Sequence, residues 1–161
     1  MEAKILTFVR WKFIGRRLRK HRSVRTKRDR LQFSRSVLEE IRSTIGSRPA
    51  EQGGVLGGSR EDGIVTHFYF DETALSTGGT YSPDVCTINK FLSEEWNPNG
   101  IDLLGFVHSH PGLRQPSRGD LEYARKILTA IPELKRLYLP IVITEPDSGC
   151  YELIAFAAVR E

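Results

Sequence analysis

Cysteine and long apolar runs are both scarce in this chain. The two cysteines, Cys86 and Cys150, are too few for a disulfide framework and neither belongs to a C-x-x-C pair, so we expect both to be reduced and neither to be a nucleophile. No apolar run approaches the roughly 20 residues of a membrane helix, and the N-terminus lacks the apolar region and cleavage site of a secretory signal. The sequence therefore predicts a soluble cytoplasmic protein with no membrane partner.

Acidic residues are nearly absent from the first 30 positions. Residues 1–30 contain 12 Lys and Arg against Glu2 and Asp29, a net charge of +10, whereas the whole chain carries +4, which leaves −6 for residues 31–161. We predict a basic N-terminal segment, residues 1–30, followed by one domain, residues 31–161. Such a charge block is typical of a solvated segment, which is the interpretation we favour. Nucleic-acid binding through it, or docking of it on the acidic domain or a partner, are the alternatives.

Capping patterns place the first two helices. Ser36-x-x-Glu39 predicts a capping box in a helix that begins at residue 33 or 34 and ends at residue 45. The run Ser82-Pro83-Asp84 predicts a second helix with Ser82 as its N-cap, and Val85 begins the apolar stripe that we expect to be buried.

Alternating apolar residues and turn residues predict the strands. Asp62-Gly63 indicates a hairpin turn before a strand over residues 64–71, residues 75–81 form a polar loop, and a central strand covers residues 101–110. Residues 139–144 and 150–160 predict a closing hairpin with a long second strand. Helices alternating with strands and hairpins indicate a single α/β domain, with a mixed β-sheet flanked by helices.

Two histidines end the central strand, in the run Gly105-Phe106-Val107-His108-Ser109-His110-Pro111. Successive strand side chains point to opposite faces, so His108 and His110 share a face roughly 7 Å apart along the strand, while Ser109 points away. Proline at position 111 cannot continue the ladder. The pattern predicts two imidazoles able to bind one ion.

A carboxylate follows these histidines at the start of a third helix. Ser117 has the character of an N-cap, and Asp120, three residues later, lies in the first turn and points back toward the loop. A capping box alone would explain this pair. The histidines beside it favour a metal site in which His108, His110 and Asp120 leave a fourth position for water, as in catalytic zinc centres.

These residues together resemble a known family motif. The run His108-Ser109-His110-Pro111, then Ser117-x-x-Asp120, preceded by Glu51-x-Gly-Gly-Val-Leu-Gly-Gly58, is similar to the JAMM signature of the JAB/MPN metalloproteases. The resemblance covers roughly residues 34–161. One departure lies in the loop between His110 and Ser117, which has six residues where the family usually has seven.

The resemblance implies a fold, a cofactor and an activity. The implied fold is the MPN sandwich, related to that of cytidine deaminases, and the implied cofactor is Zn²⁺ held by His108, His110 and Asp120. Glu51 matches the family's general base, and Ser117 matches the serine that can donate a hydrogen bond to the developing oxyanion. Family members cleave peptide or isopeptide bonds after the tail of ubiquitin-like proteins. The short chain resembles the compact prokaryotic members that accompany E1-like and E2-like enzymes, which are the implied partners.

Two other functions are alternatives to the protease. MPN domains without the metal set serve as non-catalytic scaffolds, and the shortened loop is the feature that favours this interpretation. Nucleic-acid binding through residues 1–30 is the other. A His, His, Asp set also accepts divalent ions other than zinc, so the metal is inferred from the resemblance.

Overall fold

The computed structural model describes residues 31–49, 51–145 and 150–160. The basic segment, and residues 146–149 between the two predicted strands of the closing hairpin, lie outside these ranges. The described α-helices are α1 (Arg35–Ser43), α2 (Val85–Phe91) and α3 (Arg118–Ala130), and a π-helical turn, Leu92–Trp96, continues α2. The strands are β1 (Gln32–Phe33), β2 (Gly53–Ser59), β3 (Ile64–Phe70), β4 (Leu75–Thr77), β5 (Thr80–Ser82), β6 (Asp102–His110), β7 (Arg136–Tyr138), β8 (Ile141–Glu145), β9 (Cys150–Ile154) and β10 (Ala157–Val159).

One mixed sheet of eight strands forms the centre of the described chain. Its main order is β1-β3-β2-β6-β7-β10, and β8 pairs with both β6 and β9. Strand β6 lies in the interior, antiparallel to β2 and parallel to β7 and β8. All of its residues from Leu103 to His110 are buried, so the two histidines end a strand that is covered on both faces.

Helices cover both faces of this sheet. Val55 and Phe106 pack in one apolar cluster with Ile88 of α2 and Ala124 of α3. The neighbouring strand residues Leu56 and Val107, which point the other way, pack with Val37 and Ile41 of α1. The predicted α/β domain with a mixed sheet flanked by helices is confirmed. None of the described helices is long and apolar enough to cross a membrane.

The predicted cap of α1 is wrong by two residues. The Ser34 hydroxyl, not that of Ser36, accepts the Val37 N–H at 3.3 Å, so Ser34 is the N-cap. Glu39 cannot complete a box with Ser36, because Ser36 already lies inside the helix and the Glu39 carboxylate pairs with Arg35 at 2.8 Å. Ion pairing one helical turn apart is the usual alternative use of such a glutamate.

The predicted start of α2 also differs. Asp84 is the N-cap and accepts the Thr87 N–H at 3.1 Å, whereas Ser82 is the last residue of β5. Val85, expected to begin the buried stripe, is 45% exposed. The helix therefore begins two residues later than the Ser-Pro-Asp pattern indicates, because pairing of β5 with β4 holds Ser82 in extended backbone.

Two other predicted segments differ from expectation in their strand structure. Residues 75–81, predicted as a polar loop, include the β4–β5 hairpin. Residues 150–160 form two strands, because β9 pairs with β8 while β10 crosses to β7. The Asp62-Gly63 turn occurs as predicted, with Gly63 at φ +66°.

Candidate metal centre

The two histidines of β6 lie side by side with their ring nitrogens converging. The Nε2 atoms of His108 and His110 are 2.8 Å apart, and the ring centroids are separated by 4.6 Å. Both side chains are nearly excluded from solvent, at 6% and 3% exposure. The predicted common face of alternate strand residues is thus realised at the buried end of an interior strand.

Asp120 reaches these histidines from the first turn of α3. A reciprocal capping box fixes it: Ser117 N–H donates to Asp120 Oδ2 at 2.6 Å, and Asp120 N–H donates to Ser117 Oγ at 3.2 Å. Asp120 Oδ1 lies 3.2 Å from His108 Nε2, and Oδ2 lies 3.4 Å from His110 Nε2. The short loop before Ser117 therefore still brings the carboxylate onto both imidazoles.

The three donors fit a divalent transition metal. One nitrogen from each histidine and a carboxylate oxygen of Asp120 all lie within 4.8 Å of one another. His110 Nδ1 lies 3.0 Å from the Leu113 carbonyl oxygen. A carbonyl only accepts, so Nδ1 carries a proton, and in the neutral form of the ring the lone pair of Nε2 faces the cluster. Two imidazoles and one carboxylate are a donor set that suits zinc.

The electrostatics of the cluster favour an ionised carboxylate. Burial alone would raise the pKa of Asp120, but its hydrogen bonds to His108 and His110 outweigh burial and hold that pKa far below its usual range. Burial would lower the pKa of His110, yet the bonds to Asp120 and to the Leu113 carbonyl raise it above the ordinary value. A negative group thus stands beside two potential nitrogen ligands, as a cation site requires.

Glu51 lies two residues before β2, whose first residue, Gly53, stands opposite His108. Its N–H donates to the Thr77 carbonyl at 3.1 Å, and its own carbonyl accepts the Ser76 hydroxyl, so the β4 strand holds its backbone. Its side chain is half-buried, and its negative charge contributes to the raised pKa of His110. The Glu51 carboxylate therefore lies within electrostatic reach of the metal-ligand candidates.

Ser109 is a contributor that the sequence interpretation did not identify. It is fully buried, its Oγ accepts the Gln52 N–H at 3.0 Å, and its own N–H donates to the Gln52 carbonyl at 2.8 Å. These two bonds connect Gln52, which follows Glu51, to Ser109, which lies between the histidines. A serine in an apolar strand suggested a buried polar partner, but nothing local indicated Gln52, which is 57 positions away.

Ser117 sits at the junction of the loop and α3. Its Oγ accepts the Asp120 N–H, which leaves the hydroxyl proton available to donate to another group. The structure thus brings His108, His110 and Asp120 together and places Glu51 and Ser117 on adjoining segments. The assignment of Glu51 and Ser117 as catalytic stays a prediction.

Comparison with known proteins defines the family. Residues 34–153 match the model of prokaryotic homologs of the JAB domain. The chain belongs to this family. The matched region contains every residue of the candidate site, from Glu51 to Asp120, and leaves residues 1–33 and 154–161 outside.

Two solved structures align with most of this chain. The solution structure of a Desulfitobacterium hafniense protein aligns over 77% of this JAB-domain chain and 81% of its own, with 21% identity and a TM-score of 0.58. The crystal structure of a JAB1/MPN domain protein from Archaeoglobus fulgidus aligns over 77% and 85%, with 21% identity and a TM-score of 0.44. No curated protein matches the chain.

Proposed function

We propose that this JAB-domain protein is a zinc-dependent peptidase or isopeptidase that cleaves after the C-terminal tail of a ubiquitin-like protein. The observation that carries the proposal is the convergence of His108, His110 and Asp120, with their donor atoms within 4.8 Å of one another. The negative charge of Glu51 also contributes to the raised pKa of His110. Membership of the JAB family, which includes metalloproteases, supports the same reaction class.

Two of the candidate ligands, His110 and Asp120, are oriented before any ion binds. The Leu113 carbonyl sets the tautomer of His110, and the Ser117 backbone N–H holds the Asp120 carboxylate. Zinc bound by this set would lower the pKa of a water toward about 7 and polarise the scissile carbonyl. A pre-oriented set suits catalysis because no side chain has to reorganise during the reaction.

Glu51 is the proposed general base and acid. Its carboxylate takes one proton from the attacking water as the water oxygen bonds to the carbonyl carbon. It then gives that proton to the departing amine nitrogen as the carbon–nitrogen bond breaks. The products are a carboxylic acid and an amine, and no covalent enzyme intermediate forms. The anchoring of the Glu51 backbone by Thr77 and Ser76 supports this role, because a base must be held within reach of the proton it moves.

Ser117 is the proposed donor to the oxyanion. Its hydroxyl proton is not used by the capping box, since Oγ acts there as acceptor from Asp120 N–H. A hydroxyl directed at the developing negative oxygen stabilises the transition state more than the ground state. Its location at the α3 N-terminus adds the positive end of the helix dipole in the same direction.

The proposed substrate is the extended tail of a ubiquitin-like protein, free or conjugated. The β4–β5 hairpin borders the Glu51 backbone, and these two strands pair only with each other within the described sheets. An extended Gly-rich tail can add main-chain hydrogen bonds to such a strand and so deliver its last residue to the site. E1-like and E2-like enzymes that attach the modifier are the proposed partners.

Metal content provides the first test, because it needs no substrate. Mass spectrometry of protein purified without chelator should find about one zinc per chain in the wild type and little in His110→Ala or Asp120→Asn. Zinc-loaded wild type should then cleave a ubiquitin-like fusion, while Glu51→Gln should bind zinc normally and not cleave. Absence of metal in the wild type would contradict the protease and favour the scaffold alternative.

A further inference from the structure

The ring of Tyr81 lies beside that of His108. The two ring centroids are 6.1 Å apart and the planes differ by 17°, an offset-stacked arrangement. Tyr81 belongs to β5, so this contact connects the small hairpin to the end of the central strand. At His110, the contact that orients the ring is instead the one from Nδ1 to the Leu113 carbonyl.

Asp71 fixes the far end of the Tyr81 side chain. The Tyr81 hydroxyl donates to Asp71 Oδ2 at 3.0 Å, and Asp71 itself is only 2% exposed. The same carboxylate oxygen accepts the Asp84 N–H at 3.0 Å, and the Asp71 N–H donates to the Gly53 carbonyl at 3.1 Å. Burial first, and then the charge of Asp71, raise the pKa of Tyr81 well above its usual value, so the phenol keeps the proton that it donates.

Gly53 provides the surface on which this ring rests. A Cβ added to Gly53 would lie 2.5 Å from two carbons of the Tyr81 ring, so the ring packs directly on the strand backbone. Gly53 is also the residue of β2 that stands opposite His108. The ring is therefore bounded by the Gly53 backbone, by the His108 imidazole and, at its hydroxyl, by Asp71.

We propose that Tyr81 is a positioning residue for His108, with Asp71 as its anchor and Gly53 as its support. The inference rests on the proposed metal site. A ligating imidazole must keep both its ring plane and its direction, and groups outside the ligand set commonly control both. Each histidine thus has its own orienting partner: the Leu113 carbonyl for His110 and the Tyr81 ring for His108.

The test measures affinity for Co²⁺ and Zn²⁺ by competition with a chromogenic chelator, together with the visible spectrum of the Co²⁺ form. Loss of the ring in Tyr81→Leu should weaken both affinities by about 10- to 100-fold, the range typical of partners outside the ligand set. Tyr81→Phe keeps the ring and loses only the anchor, so it should restore most of the affinity. The Co²⁺ spectrum should change in Tyr81→Leu and resemble the wild type in Tyr81→Phe.

Gly53→Ala provides a second perturbation that leaves Tyr81 intact. Its Cβ should push the ring away from His108 and weaken metal binding, as Tyr81→Leu does. Gly57→Ala is the matched control. Gly57 lies in the same strand as Gly53 but away from the histidines, and its Cβ would come nearly as close, at 2.6 Å, to the ring of Trp96. Gly57→Ala should lower the free energy of unfolding about as much as Gly53→Ala does and leave metal affinity unchanged.

The outcomes separate this inference from the proposed function. If the wild type binds about one metal per chain and Tyr81→Leu and Gly53→Ala bind it within twofold of the wild type, the positioning role is refuted while the metal site stands. Equal loss of affinity in Gly53→Ala and Gly57→Ala would also refute it, since general destabilisation would then explain the effect. No binding by the wild type would refute the metal site and the positioning role together.

Discussion

Replacing Ser109 by alanine should disturb the position of Glu51 and leave the metal ligands in place. The Ser109 hydroxyl accepts the Gln52 N–H at 3.0 Å, and Gln52 follows Glu51 directly. Removing the hydroxyl leaves that N–H without its partner, which costs about 1–3 kcal/mol when water cannot reach the group. Because Gln52 is half-buried and the bond from Ser109 N–H to its carbonyl remains, we expect the lower part of that range.

The assay combines three measurements on Ser109→Ala. Urea unfolding of the metal-free protein should show a free energy of unfolding lower by about 1–2 kcal/mol. Metal content should remain about one per chain, since both histidines keep their places in β6. Cleavage of a ubiquitin-like fusion should fall on the order of 10-fold, because small displacements of a catalytic group carry large costs in rate.

The control is Ser93→Ala, which removes a serine hydroxyl that donates to the Lys90 carbonyl at an exposed position. It should change the free energy of unfolding by less than about 0.5 kcal/mol and leave cleavage unchanged. Normal stability and cleavage in Ser109→Ala would refute the role of the Gln52 bond. Loss of metal in Ser109→Ala would show that Ser109 supports the histidines rather than Glu51.

Three further predictions concern packing, a surface ion pair and pH. A Cβ at Gly105 would overlap the Tyr138 carbonyl oxygen of the neighbouring strand. Gly105→Ala should therefore lower the free energy of unfolding, measured with urea, by about 1–3 kcal/mol or more. Glu152→Gln removes the ion pair between Glu152 and Arg114, whose side chains are 45% and 58% exposed. It should lower the free energy of unfolding by less than about 1 kcal/mol, and this loss should shrink with added salt. The pKa of Asp120 is lower in the folded state than in the unfolded state, so the stability it contributes is present above about pH 4 and is lost as pH falls toward the folded value. Metal-free wild type should therefore lose stability more steeply than Asp120→Asn in urea titrations below about pH 4.

Each of these predictions has a control or a contradicting result. Gly78→Ala adds a Cβ with no atom within 4 Å and should be nearly neutral, so equal behaviour of the two glycine variants would contradict the close approach of β6 and β7. A loss of unfolding free energy in Glu152→Gln that does not depend on salt would indicate that packing, rather than charge, accounts for the contribution of Glu152. Parallel pH curves for wild type and Asp120→Asn would show that Asp120 is not the group whose ionisation stabilises the fold at acid pH.

The parts of the site that follow short-range rules were predictable. Alternation along β6 places His108 and His110 on one face, and Ser117 with Asp120 forms the predicted capping box, because both patterns depend on residues at most three positions apart. The caps at Ser36 and Ser82 were wrong where local chemistry offered two acceptors of similar quality. Sheet pairing decided between them: the Ser34 N–H donates to the Val65 carbonyl of β3 at 2.8 Å, and pairing of β5 with β4 places Ser82 in a strand and leaves Asp84 as the cap.

The parts that depend on distant pairing were not predictable from the residues alone. The bonds between Gln52 and Ser109 require β2 and β6 to be neighbours in one register. The stacking of Tyr81 on His108 requires, in addition, a hairpin where the sequence predicted a loop. Splitting of residues 150–160 into β9 and β10 likewise reflects two different partner strands. Family resemblance indicated Glu51, but the contacts that hold its backbone come from this long-range pairing.

The Asp120 carboxylate takes part in the helix cap and in the candidate metal site at the same time. Oδ2 accepts the Ser117 N–H at 2.6 Å and lies 3.4 Å from His110 Nε2, while Oδ1 lies 3.2 Å from His108 Nε2. A capping bond of this kind exists whether or not an ion is bound, so folding of α3 already aims the carboxylate at the histidines. The entropy of ordering that side chain is then lost during folding rather than during metal binding. This is the physical reason that a helix start is an effective source for the third ligand. The same argument explains how a loop with one residue fewer can keep the set together, because the cap fixes Asp120 relative to Ser117 and not relative to the loop.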